Sequence, residues 1–194
     1  MANTNVVNGL RPVQNLDGSP WNGKTRKFYK AAGTTVTNDY FPGDPVILSG
    51  SGDAKGIPGV SIATAGANNQ ICGVIVSIVE SQDHLDRTWI DGADAGYVNV
   101  CCDPNTVFEA QADDALTYTD IGNNAPLVKT QAGSRTTGAS GFEVDATTST
   151  TANDQLKIIG FVQREDNTIN SENNKVLVII NNHQFKGYTG NAGV

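Results

Sequence analysis

The chain has 194 residues with 13 basic and 20 acidic side chains, a net charge of −7, which argues against generic binding of its body to nucleic acid. Hydrophobic residues make up 38% and charged residues 17%; the remainder is rich in Gly, Asn, Thr and Ser, which disfavour helix interiors yet leave enough apolar segments for a core. No run approaches the roughly 20 apolar residues that span a bilayer, and MANTNVV lacks the order of a secretion signal, so synthesis in the cytosol is expected.

In chain order, residues 1–30 come first. They hold Arg11, Lys24, Arg26, Lys27 and Lys30 against one acid, Asp17, while the rest of the chain holds 8 basic and 19 acidic side chains. Without an amphipathic pattern, residues 1–25 read as an extended N-terminal arm built to lie on another surface. The body follows over 26–187 as a single β-rich domain. Its strand-length apolar segments are KFY (27–29), PVILS (45–49), GVSIA (59–63), ICGVIVSIV (71–79), YVNVCC (97–102), TVFEAQ (106–111), PLVK (126–129), FEV (142–144), LKIIGFVQ (156–163) and KVLVIIN (175–181). Turn compositions such as FPGDP, SGSGDAKG, TAGANN, DGADAG, GNNAP and REDNTINSENN separate them. Single helical turns are expected at most over 81–90 and 113–118. KTQAGSRTTGASG (129–141) and ATTSTTAND (146–154) read as mobile surface loops or an exposed hairpin, and 188–194 as a flexible tail. The fold class predicted is all-β: an antiparallel sandwich or barrel, jelly roll or β-tulip-like, with little helix.

Candidate chemistry is sparse. Asp83, His84 and Asp86 are ligand types for a divalent cation, but their spacing does not converge them, and a solvated loop is expected. DGADAG (91–96) resembles half of a calcium loop without its closing Glu, so a glycine turn is expected. Cys72, Cys101 and Cys102 are odd in number, two are adjacent, and no CxxC is present; buried thiols are favoured over a disulfide framework or zinc site. Cys101 or Cys102 with His84 or His183 and Asp103 would be needed for a nucleophilic site, and no GxSxG or HExxH pattern supports one. SGSGDAKG (49–56) lacks the phosphate-loop pattern and reads as a hairpin loop. His183, after the most apolar strand, reads as a hydrogen-bonded structural residue. No catalytic residue, metal or cofactor is predicted.

Three patches carry a family resemblance: NGLRPV (8–13) with PWNGKTRKFY (20–29); YFPGDPVILSGSGDAKGIPGV (40–60) leading to ICGVIVSI (71–78); and LKIIGFVQREDNTI (156–169) with KVLVIINNHQF (175–185). Their order resembles tailed-bacteriophage virion structural proteins of the head decoration, or cement, type. The resemblance implies a non-enzymatic β-rich module on the capsid exterior, bridging neighbouring subunits of an HK97-type major capsid protein, with a homotrimer favoured over a dimer and neither nucleic acid nor membrane as partner. On that reading the arm's contact residues are Leu10, Arg11, Val13, Trp21, Lys24, Arg26, Lys27, Phe28 and Tyr29. Its apolar members supply buried area and its cations meet an acidic partner. The alternative is a glycan- or receptor-binding module on the virion, stacking sugars on Trp21, Trp89 or Tyr97.

Overall fold

A computed structural model describes residues 3–33, 38–79, 85–186 and 193. The strands are β1 (Arg11–Asn15), β2 (Arg26–Lys30), β3 (Pro45–Gly52), β4 (Pro58–Ile62), β5 (Gly73–Val79), β6 (Gly96–Cys101), β7 (Thr106–Gln111), β8 (Asn124–Ala125), β9 (Leu127–Lys129), β10 (Phe142–Val144), β11 (Leu156–Phe161) and β12 (Lys175–Ile180). The helical content among the described residues is one 3₁₀ turn, Tyr118–Asp120, whose Asp120 carboxylate accepts from the Thr117 N–H. Each of the ten apolar segments expected to be a strand contains one, and the all-β, antiparallel class is the observed one.

Two layers face one another. Strands β2, β4, β3, β5 and β6 close into a barrel, and β1, β7, β12, β11 and β8 form an antiparallel sheet beside it, with β9 and β10 as a separate hairpin. Phe28, Val46, Val60, Cys72, Ile75, Val98 and Val100 fill the barrel. A larger core joins barrel residues Ile71, Val74 and Cys101 to sheet residues Phe108, Leu156, Ile158, Val176 and Val178. One continuous core therefore makes the two layers interdependent.

The N-terminal segment belongs to this body, which corrects the expectation of a free arm. From residue 3 onward it is threaded into the sheet. Asn3 donates to the Thr168 and Glu172 carbonyls at 2.9 and 3.0 Å and accepts from the Thr168 N–H at 2.7 Å. The Val6 N–H donates to Gln111 Oε1 at 2.8 Å. β1 then pairs with β7 in the register Arg11↔Glu109 and Asn15↔Thr106. Leu10 is 1% exposed and Phe28 is fully buried, so both are core residues, not contact anchors. The reason is the order of energies: an apolar side chain buried in its own sheet gains about 1.5–3 kcal/mol without the entropic cost of ordering an arm on a partner. The turn entering β1 demands glycine twice. Gly9 (φ 67°) and Gly43 (φ 95°) pass so closely that a Cβ on Gly9 would sit 2.3 Å from the Gly43 oxygen, which accepts from the Leu10 N–H at 3.0 Å.

Both sheet edges are occupied. Beyond β1 the chain reverses at Asp17–Ser19, and Pro20, which has no N–H, bridges Gln14 on the outer edge. At the other edge Ser149 bridges Asn124 of β8. The loops over 129–141 and 146–154 are likewise held. Arg135 pairs with Asp39 at 2.7 Å and with Asp91 at 3.3 Å, and Asp154 is buried against Ser149. The tail over 188–194 lies outside the described residues except Gly193, which donates to the Thr150 carbonyl at 3.1 Å.

Lys30, counted in the sequence as an arm charge, points inward. It is 3% exposed, and its Nζ donates to the carbonyls of Asp91, Gly92 and Asp94 at 3.0, 2.6 and 2.6 Å. The DGADAG turn thus does gather oxygens as a cation loop would, and an ammonium from β2 fills it. Burial lowers the Lys30 pKa, opposed by Asp94, Asp91 and Asp39. Lys30→Met is expected to strand one buried and two part-buried carbonyls and to lower the unfolding free energy by about 3 kcal/mol in a denaturant titration; a loss below about 0.5 kcal/mol, typical of surface substitutions, would contradict this role.

Candidate docking surface

Strand alternation divides β2 into two faces. Phe28 and Lys30 point into the barrel, while Lys27 and Tyr29 point away from it, and Arg26 sits at the mouth. The Arg26 guanidinium lies 5.6 Å from the Phe28 ring centre and 5.9 Å from that of Phe185. Lys27 Nζ is 4.1 Å from the Tyr97 ring centre, and the Tyr97 ring is tilted at 52° to that of Tyr29, with centres 5.6 Å apart, while its hydroxyl donates to Asp53 at 2.7 Å. Lys24, Arg26, Cys102, Asp103 and Phe185 line a surface groove of about 450 Å³. Phe185 is 42% exposed. Sequence reasoning missed it because it arrives from the opposite end of the chain.

Four cations of the body are ion-paired: Arg87 with Asp94, Arg135 with Asp39 and Asp91, Arg164 with Glu109 and Asp166, Lys175 with Asp166. Lys24, Arg26 and Lys27 are exposed and make no ion pair among the described residues. The structure therefore splits the nine expected contact residues. Lys24 and Arg26 line the groove with Phe185, while Lys27 and half-buried Tyr29 meet Tyr97 on the outer face of β2. Arg11 and exposed Val13 lie on β1 along a second groove with Val6, Glu109, Arg164 and Lys175. Trp21 is half-buried against the main core, and Leu10 and Phe28 are inside.

The aromatic residues expected to stack on sugars are already engaged. Trp89 has the guanidiniums of Arg135 and Arg87 at 4.4 and 5.0 Å from its ring and Phe41 at 6.2 Å; Tyr97 is covered by Lys27.

Burial shifts the cysteines of the candidate nucleophile set, and His183, toward their uncharged forms. Burial raises the Cys72 thiol to about 12 and raises the thiols of Cys101 and Cys102, so none is primed as a thiolate. His183 is 1% exposed, its Nδ1 accepts from the Phe185 N–H at 3.0 Å, and burial lowers its pKa to about 4. His84 and Asp83 lie outside the described residues, and Asp86 is exposed. Among the described residues no group of three or more metal-ligating side chains occurs. The SGSGDAKG segment is the β3–β4 hairpin turn, where Asp53 Oδ1 accepts from the Lys55 and Ile57 N–H groups at 2.9 and 2.8 Å.

No family model, curated protein or solved structure matches the chain.

Two buried groups give the body a distinctive acid response. Burial raises the Asp44 carboxyl to about 6, although its Oδ2 accepts from the Phe41 N–H at 2.9 Å. A carboxyl raised in the folded state contributes stability that is present below its ordinary value near 3.8 and lost as pH rises through about 6. His183, lowered from 6.5 to about 4, acts oppositely: its contribution is present above 6.5 and lost as pH falls through about 4. The two offset one another between these limits. Asp44→Asn is expected to raise stability at pH 7 by on the order of 3 kcal/mol and to unmask a steeper loss of stability as pH falls from about 6.5 to 4. Parallel stability-against-pH curves for the two proteins would contradict the assignment.

Proposed function

We propose that the chain is a non-enzymatic head decoration protein that docks on the exterior of a phage shell and braces neighbouring subunits of an HK97-type major capsid protein. The observation that carries this reading is the groove of Lys24, Arg26 and exposed Phe185, with exposed Lys27 beside it on β2, on a chain whose net charge is −7. β2 presents Arg26 and Lys27, so docking through them does not need to order a long arm. The cations steer toward an acidic partner surface and set orientation, while Phe185 and the Arg26 stem add apolar area. The order of the sequence patches resembling virion decoration proteins supports the same reading. A homotrimer at a local threefold position would multiply several weak contacts through effective concentration, and a dimer at a twofold position would do so less.

The test uses shells lacking the protein and purified protein added back. Reversing Lys24, Arg26 and Lys27 to Glu should leave the thermal midpoint unchanged and lower shell occupancy at limiting concentration by about tenfold or more. Wild-type binding should weaken as salt rises. Undiminished occupancy of the triple variant would refute this docking face. Truncating residues 1–25, in contrast, removes Leu10 and β1 and is expected to unfold the body, so it does not probe docking.

A further inference from the structure

Apart from the β2 face, the seam between barrel and sheet holds an open cleft of about 460 Å³. Its lining contains no charged side chain, although 33 residues of the chain are charged. Four segments build it: Ile47 of β3, the β4–β5 loop, the turn before β11, and the chain just after β12. Backbone hydrogen bonds lock them together, with Asn68 N–H to the Asn153 carbonyl at 3.0 Å, Ile71 N–H to the Asn182 carbonyl at 3.0 Å, and Gln184 N–H to the Ile71 carbonyl at 2.9 Å.

The carboxamides within it are anchored at one end. Gln184 Oε1 accepts from the Leu48 N–H at 2.9 Å, which leaves its Nε2 as a donor. Asn69 Nδ2 donates to the Gly66 carbonyl at 3.2 Å and Asn182 Nδ2 to the Asn69 carbonyl at 3.3 Å, which leaves two Oδ1 acceptors. Asn182 is 6% exposed, and its Oδ1 is buried with no hydrogen-bond partner. Such an atom carries an unmet desolvation cost that a ligand donor would relieve. Exposed Gln70 and Asn153 stand at the rim, and half-buried Ile47 provides an apolar wall.

We propose that this cleft is a binding site for a neutral saccharide. Fixed donors and acceptors at short spacing match the hydroxyls of a sugar, each of which both donates and accepts. Ile47 suits the C–H face of a pyranose ring, and the uncharged lining offers nothing to compensate an acidic sugar. The volume falls within the range of small-ligand clefts.

The experiment is a titration of the isotope-labelled protein, followed by the side-chain amide resonances. The probes are lactose, maltotriose and mannotriose, with sialyllactose as the charged counterpart. At least one neutral probe should give saturable shifts at Asn69, Asn182 and Gln184 with a dissociation constant of about 10 mM or tighter, and sialyllactose should bind more weakly. The double variant Gln70→Ala, Asn153→Ala should bind about fivefold or more weakly with an unchanged thermal midpoint, since both side chains are exposed. Absence of shifts for all three neutral probes, preference for sialyllactose, or undiminished binding by the variant would each overturn the proposal.

Discussion

Closure of the barrel by β2 is the constraint on which the rest depends. β2 pairs antiparallel with β6 over Arg26↔Val100 to Lys30↔Gly96 and meets β4 in parallel at Tyr29↔Gly59. Without it the barrel would present two open edges, and Phe28 would leave the centre of the barrel core. Closure also places Lys30 under the Asp91–Asp94 turn and turns Lys27 outward onto Tyr97. One five-residue strand thus supplies a core aromatic, a buried cation and a cationic surface. The strand period of two makes this division possible.

The second requirement is to fold a chain with few hydrophobic residues. The larger core is shared between barrel and sheet, so its apolar side chains serve both layers. The abundant asparagines then hold the connections. Asn167 donates to the Val162 and Lys175 carbonyls and accepts from the Lys175 N–H; Asn181 donates to the Ala152 and Asp154 carbonyls; buried Asn174 donates to the Leu116 carbonyl. These side chains satisfy loop backbone groups that no strand reaches, which is why a polar composition coexists with an ordered interior. A carboxamide left over in such a network is itself informative, as Asn182 is in the amide-lined cleft.

Strands with runs of Val and Ile were legible because their composition and spacing are local properties, and β3 to β7 and β9 to β12 all overlap segments so marked. β1 and β8 were not. RPVQN has a proline and no apolar run, and β1 exists because β7 offers it an edge; β8 is two residues long. The reading of residues 1–25 as an arm failed for a related reason. A charge count treats Arg11 and Lys30 alike as free, whereas one lies across from Glu109 and the other is buried under carbonyls. The turn-like oxygens of DGADAG were visible, but their occupant is 61 residues away from Asp91 in sequence. Phe185 and the amide cleft lacked any signal, since both are assembled from segments the chain separates widely.

Native-state hydrogen exchange tests most directly whether the leading segment is structural. If β1 and β2 are integral, the amides of Leu10 and of Arg26 to Lys30 that face hydrogen-bond partners should exchange only with global unfolding, at the same free energy as β7 and β12. Exchange of residues 3–16 at rates near those of an unstructured peptide, with β7 and β12 still protected, would contradict the account and restore a free arm.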